Sequence, residues 1–400
     1  MEKITFCIPS KSNLRYLKTC IPSIRENGYR KDHDIIVFVD SDEDGTVEWL
    51  EKNAEQWQVT YYINPELGEK LYGIGKAYDY CIEKATTDVF MIFHADMMLG
   101  KDADYHAYKH LAEKTVVCAT RIEPPLHPNA GEKILRDFGV WPEDFTKEAF
   151  NTFVEKCIKE YEGKTTEGVF APWMMYKEEF LALGGHDPIF HSAREDSDVF
   201  NRMLLAGYTF KQPWQSLVYH LTGRGGQFQH GTITQEHSAK SAEWQKLMEN
   251  STKEFIRKWG GTVKHDALMK PIVTPKYDIG IRVHGCTSEL LELLEPWCST
   301  ILIDDEMQVL TTHYLDKEQP NTKIDLSKKI KTAPFDTLEN EIIVTVDSTR
   351  FTSQDFQYIQ MIPDIIKENQ MIGQFKLGVL ENIELTIKGL TEYQDQLINL

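Results

Sequence analysis

The sequence predicts an α/β protein, with a mostly parallel, doubly wound sheet flanked by helices and a second, smaller α/β or α+β unit after it in the chain. Three observations predict it. Short apolar runs rich in β-branched and aromatic residues recur at 4–8, 34–39, 59–63 and 89–93, and runs of that length read as strands buried on both faces. Helical segments fill the gaps, and strand, helix, strand at this spacing calls for parallel pairing through crossovers. The composition then shifts after Gly260-Gly261, near Lys264, where a new set of strand and helix patterns begins. Four hundred residues exceed one average domain, and the division expected is 1–262 and 263–400.

The first strand, 4–8, ends at Pro9-Ser10-Lys11, and a helix follows to about Asn27. Strand two, 34–39, closes in the acidic turn Asp40-Ser41-Asp42-Glu43-Asp44-Gly45-Thr46, where Asp42 and Asp44 read as turn formers, and leads to a helix over 47–53. After strand three, 59–63, a glycine-rich stretch from Gly68 opens a helix running to Lys84; Gly73 and Gly75 let that helix start close to the sheet. The fourth run, 89–93, is wholly apolar and so belongs in mid-sheet. It stops abruptly at His94-Ala95-Asp96. An imidazole and a carboxylate thus stand at a strand's carboxyl tip, where open α/β sheets bind their ligands.

Further along, 116–121 reads as a strand, 123–128 as a proline-rich bend and 141–161 as an amphipathic helix packed over the sheet. The stretch 168–210 holds a strand, a short helix ending at Gly184-Gly185, and a helix from near Glu195 to just before Gly207. Glu195, Asp196 and Asp198 fall in the first turn of that helix, where carboxylates complement its dipole. A strand at 216–219 precedes His220. The polar, glycine-rich segment 222–237, with Arg224, reads as a loop able to close over a bound ligand, and 238–259 as a helix. The second unit shows strands at 277–283, 299–303, 341–346 and 375–379, helices at 287–294 and 353–369, and a solvated turn at Asp304-Asp305-Glu306.

The formal net charge is −18, from 44 Lys and Arg against 62 Asp and Glu, so the chain as a whole gains little from the counterion release that drives nucleic-acid binding. Seven cysteines, without a CxxC pair, read as reduced thiols rather than a disulfide framework. The chain opens directly on a strand pattern, and no apolar run nears the ~20 residues of a membrane helix. These features predict a cytoplasmic protein with no membrane span.

A PSK strand end, DSDEDGT after strand two, a glycine-and-basic helix start, a strand ending in His94-Ala95-Asp96, and GGHDPIF followed by Glu195-Asp196 and RMLLAGY come in an order that resembles the family 2 glycosyltransferases of the GT-A fold. The resemblance implies a metal-dependent, inverting transfer of a sugar from a nucleotide-sugar donor, a UDP-sugar first, to a hydroxyl of a glycan or other acceptor. Carried over residue by residue, it assigns Pro9, Ser10 and Asp40 to the base and ribose, where a carboxylate can accept the N3 hydrogen of uracil. It turns Lys76 toward the diphosphate. His94, Ala95 and Asp96 occupy the donor-binding DxD position, with Asp96 on a divalent ion, Mn²⁺ or Mg²⁺; His94 departs from the usual first acid. His220 completes the metal shell. Asp196 acts as general base, Glu195 as an acceptor or orienting contact, and Arg194 and Trp173 line the acceptor side. Two alternatives stay open: a phage-type enzyme acting on modified DNA, and a catalytically silent module that binds sugar nucleotides or glycans.

Overall fold

The computed structural model describes every residue except 129–130, 192, 223–241, 335, 379–380, 395–396 and 398–400. Apart from Thr222, the loop predicted at 222–237, with Arg224, lies outside the described residues. The chain divides into two compact units, Met1–Leu247 with His265–Pro271, and Met248–Lys264 with Ile272–Asn399.

The first unit is built outward from β1 (Thr5–Lys11), which pairs in parallel with β2 (Asp34–Ser41) on one side and β4 (Val89–Ile92) on the other; β2 pairs in parallel with β3 (Val59–Ile63). Phe6, Ile8, Val37, Val39, Met91 and Phe93 share one core. Burial on both faces is why these strands are continuous apolar runs rather than alternating ones. Helices α1 (Leu14–Asn27), α2 (Thr46–Trp57) and α3 (Ile74–Lys84) make the connections. The order β3-β2-β1-β4 reverses the winding between β1 and β4, the point at which doubly wound sheets take ligands beyond the strands' carboxyl ends.

Beyond β4 the pairing changes sense. β10 (Trp173–Tyr176) runs antiparallel between β4 and β6 (Thr115–Cys118), and β11 (Thr209–Pro213) and the short β9 (Thr165–Thr166) complete a mostly parallel eight-stranded sheet. A second sheet has four strands in the order β5 (Met97–Leu99), β12 (Leu217–His220), β7 (Thr120–Glu123) and β8 (Lys133–Leu135). The chain passes from the large sheet to the small one at 93–96, at Ala119, whose N–H donates to Pro172 O at 2.9 Å, and at 214–216. The single strand expected at 116–121 is therefore two strands in two sheets. After the short α4 (Ala103–Tyr108), α5 (Lys147–Glu160) covers the small sheet, with Phe150, Val154 and Cys157 packed on Met98, Ile122, Leu217 and Tyr219.

Two helices frame the far side of the site, α6 (Lys177–Ala182) and α7 (Glu195–Leu205). Asp198, expected as helix-start charge, also stabilises the fold, because it is fully buried and accepts from Arg202 Nε at 2.8 Å. Arg202 donates in addition to Leu183 O and Gly185 O, tying α7 to the glycine turn after α6.

The second unit, which includes most of α8 (Ala242–Trp259), has its own sheet. β13 (Ile279–His284), β14 (Thr300–Asp304), β15 (Ile330–Ala333) and β16 (Ile342–Asp347) pair in parallel, and β17 (Gly373–Leu377) and β18 (Ile383–Ile387) add antiparallel strands in the order β15-β14-β13-β16-β18-β17. β15 and β18 have no counterpart among the strands expected from sequence. Helices α9 (Ser288–Leu294), α10 (Val309–Glu318), α11 (Leu326–Lys329) and α12 (Ser353–Asn369) accompany them, the last opened by a Thr352–Asp355 capping box. Among the described residues no helix is long and apolar enough to cross a membrane, and all seven cysteines are free thiols.

Removing one partner of a buried ion pair leaves the other's charge stranded, at a cost of about 3–5 kcal/mol. Asp198→Asn should lower the unfolding free energy by that order, read as a shifted midpoint in urea titration.

Candidate functional site

The crossing at 93–96 presents the chain's chemistry. Phe93 N–H still donates to Cys7 O as β4 ends, Met97 N–H closes a tight turn on His94 O at 3.2 Å, and β5 then departs antiparallel to β12. His220 pairs with Met97 in that register, and Leu221 N–H donates to Asp96 O at 3.1 Å. Ligand atoms of His94, Asp96 and His220 consequently all lie within 4.8 Å of one another. His220 Nε2 stands 3.6 Å from Asp96 Oδ1, too long for a strong hydrogen bond. Two imidazoles and one carboxylate at this spacing suit a divalent ion of the Mn²⁺ type better than Mg²⁺, which prefers oxygen ligands.

Charges around this group are sharply tuned. Burial alone would raise the Asp96 carboxyl, but the imidazoles of His220 and His94 outweigh it and hold Asp96 below the ordinary carboxylate range. Burial works against a charge on His220 as well, yet Asp96 and Glu123 prevail and lift its pKa to about 9. His94, desolvated and facing His220, falls to about 4. Behind His220 lies a charged cluster invisible from outside. Glu123 Oε1 is 2.8 Å from His220 Nδ1, Arg121 Nη1 donates to Glu123 Oε1 at 2.7 Å, Lys133 Nζ donates to Glu123 Oε2 at 2.8 Å, and Arg121 Nη2 donates to Glu132. Each of these side chains is buried.

The second half of the site forms where α3 meets α7. A Cβ on Gly75 would lie 2.9 Å from His186 Cβ and 3.5 Å from Glu195 Cβ, and one on Gly73, at φ +95°, would strike His191 O at 2.7 Å. The two glycines therefore allow α3 to abut the 186–195 segment, and not merely to approach the sheet as expected. Asp79 fixes the contact, accepting from His186 N at 2.9 Å and lying 2.6 Å from His186 Nδ1. Between the two halves stands Tyr78. Its ring stacks on His186 at 5.9 Å and tilts against His94 at 6.4 Å, and its buried hydroxyl has no hydrogen-bond partner. Burial, Glu195 and Asp96 together push that phenol well above its usual value; Asp96 of the metal-type cluster and Glu195 of α7 thus act on one residue.

Glu195 is half-buried, but its Oε2 is shut off from solvent without a partner, and burial followed by the charge of Asp196 lifts it to about 8. Asp196 is half-buried, with Oδ1 accepting from Ser197 N at 2.6 Å and Ser197 Oγ at 3.1 Å. Arg194 caps α7 in the left-handed region, at φ 72°, adjacent to both acids.

The remaining expected site residues are more dispersed. Pro9 and Ser10 end β1 opposite Phe38 and Val39 of β2, and the Ser10 hydroxyl is buried without a partner. Ala95 is buried in the crossing turn. Asp40 is buried, and both its oxygens anchor the approach to α3, accepting from Tyr72 N at 2.6 Å and Gly73 N at 3.1 Å; the sequence did not announce that duty. Lys76 is exposed, its Nζ 5.7 Å from the Tyr72 ring centre. Trp173 corrects an expectation. It is 2% exposed and wedged among Phe90, Phe180 and Phe200, so its faces serve the core and none is offered to a sugar. Tyr78, Arg121, Glu123 and Lys133 were missed. The pattern Arg121-Ile122-Glu123 was a usable signal, because charges two apart in a strand share a face.

Overpacking a closed contact costs about 1–3 kcal/mol. Gly75→Ala should lose stability in that range, measured by denaturant unfolding, despite alanine's better helix propensity.

No curated protein matches the chain. Among solved structures, S. aureus TarS 1-349 in complex with UDP is similar at TM-score 0.40 and 13% identity, covering 55% of this chain and 60% of that one. GalNAc-T7 with UDP, GalNAc and Mn²⁺ is similar at 0.42 and 15%, covering 55% and 43%. The mannosyltransferase PcManGT from Pyrobaculum calidifontis, in complex with GDP-Man and Mn²⁺, is similar at 0.42 and 17%, covering 64% and 63%. This chain spans less than two thirds of each. Residues 5–156 match the model of Glycosyl transferase family 2.

Proposed function

We propose that this protein is a metal-dependent, inverting glycosyltransferase that moves a sugar from a nucleoside-diphosphate sugar, a UDP-sugar first, to an acceptor hydroxyl. The observation that carries the reading is the placing of His94, Asp96 and His220, at the carboxyl end of the central strands, and of Glu195 at the start of α7 around a single residue, Tyr78. The family match supports the reaction class.

His94, Asp96 and His220 would hold the divalent ion, which when bound supplies Lewis-acid neutralisation of the departing diphosphate. The chain's own residues do the rest. The partnerless Ser10 hydroxyl, at the tip of β1, offers a hydrogen bond to the nucleoside. Asp40 keeps the segment before α3 in place for the donor. Asp196 takes the proton from the acceptor hydroxyl as that oxygen attacks the anomeric carbon opposite the leaving group, with Oδ2 as the receiving atom because Oδ1 is held by Ser197. Glu195, kept protonated near neutral pH, donates to the acceptor and orients it. Water is the competing acceptor, and a glycan or other hydroxyl compound is the productive one.

The test is incubation with Mn²⁺ and a panel of nucleotide sugars, reading released nucleoside diphosphate and product mass. Asp196→Asn should lower kcat by about 10²–10⁴-fold, the usual weight of a general base, and Asp96→Ala should abolish Mn²⁺ dependence along with activity. Wild-type rates in either variant would falsify the corresponding role. A second expectation concerns pH. Glu195 is protonated below about 8 and loses its donor proton above it, so kcat/KM should fall as pH rises through that value. In Glu195→Gln, which cannot ionise, that alkaline limb should vanish; its persistence assigns the limb to another group.

A further inference from the structure

We propose, resting on the assignment of His94, Asp96 and His220 as ion ligands, that Glu123 is the positioning residue of this centre: it fixes the His220 ring through Nδ1 so that Nε2 faces the ion, while Arg121 and Lys133 hold the Glu123 carboxylate in place. The geometry starts in the small sheet. β12 and β7 pair in parallel with Tyr219 opposite Ile122, so the next residues, His220 and Glu123, lie side by side. Glu123 Oε1 sits 2.8 Å from Nδ1. Nδ1 is the nitrogen held by Glu123, which leaves Nε2 as the ring nitrogen on the side of Asp96, 3.6 Å away, and the one an ion would take in exchange for its proton.

The cations explain how this can coexist with ion binding. A metal takes neutral imidazole. Were His220 the sole partner of Glu123, neutralising it would strand a carboxylate only 1% exposed, a state that interiors do not tolerate. Arg121 Nη1 at 2.7 Å and Lys133 Nζ at 2.8 Å remove that conflict, since Arg121 and Lys133 balance Glu123 and Glu132 without any charge on His220. An ion that displaces the Nε2 proton would then meet an imidazole already oriented through Nδ1.

Free Mn²⁺ measured by electron paramagnetic resonance gives the dissociation constant of wild type, Glu123→Gln and Glu132→Gln. Loss of such an outer partner weakens metal binding by about 10–100-fold, the drop expected for Glu123→Gln. Glu132 belongs to the same charged cluster but does not touch His220, so Glu132→Gln should stay within a few-fold of wild type. Equal losses in both variants, or none in Glu123→Gln, overturn the proposal. Should circular dichroism show Glu123→Gln unfolded, Glu123→Gln/Lys133→Met, which removes the stranded ammonium, is read in its place by the same criterion. Wild type that binds no Mn²⁺ overturns the ligand assignment itself, a result readable before any variant is made.

Discussion

A carboxylate cannot remain ionised in a protein interior unless cations meet it, and the register of the four-stranded sheet in the first unit serves that requirement. Glu123 ends β7, Arg121 is two residues back on the same face, Lys133 starts the neighbouring β8, and His220 ends the neighbouring β12. A slip of one residue in either pairing would turn a partner to the opposite face. The same register sets His220 opposite Met97, one residue past Asp96. Ligand proximity is thus a by-product of satisfying a buried charge, and the small sheet is fixed by electrostatics as much as by the apolar contacts of α5.

The opposite wall is fixed by steric means. Asp40 holds the amides of Tyr72 and Gly73 from the β2 side, while Ile74 N–H donates to His191 O and His191 Nε2 to Leu71 O from the other. The segment entering α3 is therefore clamped between β2 and the 186–191 stretch. Only residues without a Cβ fit at the two closest approaches, Gly73 and Gly75. Because the clamp sets the pitch of α3, it also sets where Tyr78 stands, one turn further along, between the imidazoles and Glu195.

What the sequence disclosed and what it hid follow from one distinction. Strands buried on both faces declare themselves as apolar runs, so β1 to β4 were legible, and so was the break at His94-Ala95-Asp96. Carboxylates at a helix start were legible too, though Asp198 shows that the same position can hold an interior ion pair with Arg202. Residues whose role depends on a long-range partner were not. Arg121 and Glu123 looked like the polar end of a strand because Lys133 and His220, which make them buried, are brought in by pairing that no local pattern encodes. Trp173 failed in the reverse sense: a large aromatic near a suspected site reads as a stacking surface, but its strand lies between β4 and β6, where both faces are covered. β15 and β18 escaped because they are short or alternate with polar residues.

The two groups of acids on either side of Tyr78 are driven apart in protonation by their surroundings. Asp96 is flanked by two imidazoles and kept charged despite burial; Glu195 has a buried oxygen, no cation strong enough to offset desolvation, and the charge of Asp196 next to it, and so keeps its proton. Environments that separate the pKa values of nearby carboxyls are how a single cleft carries a charged and a neutral acid at the same pH. Here the charged one sits where positive charge would gather and the neutral one where a hydroxyl would be held. Burial, ahead of the neighbouring acids, pushes the Tyr78 phenol well above its usual value, so it insulates the two groups without adding a third charge. That division, negative at the strand tip and hydrogen-bonding at the helix start, matches the demands of a transfer in which a diphosphate leaves on one side and an alcohol arrives on the other.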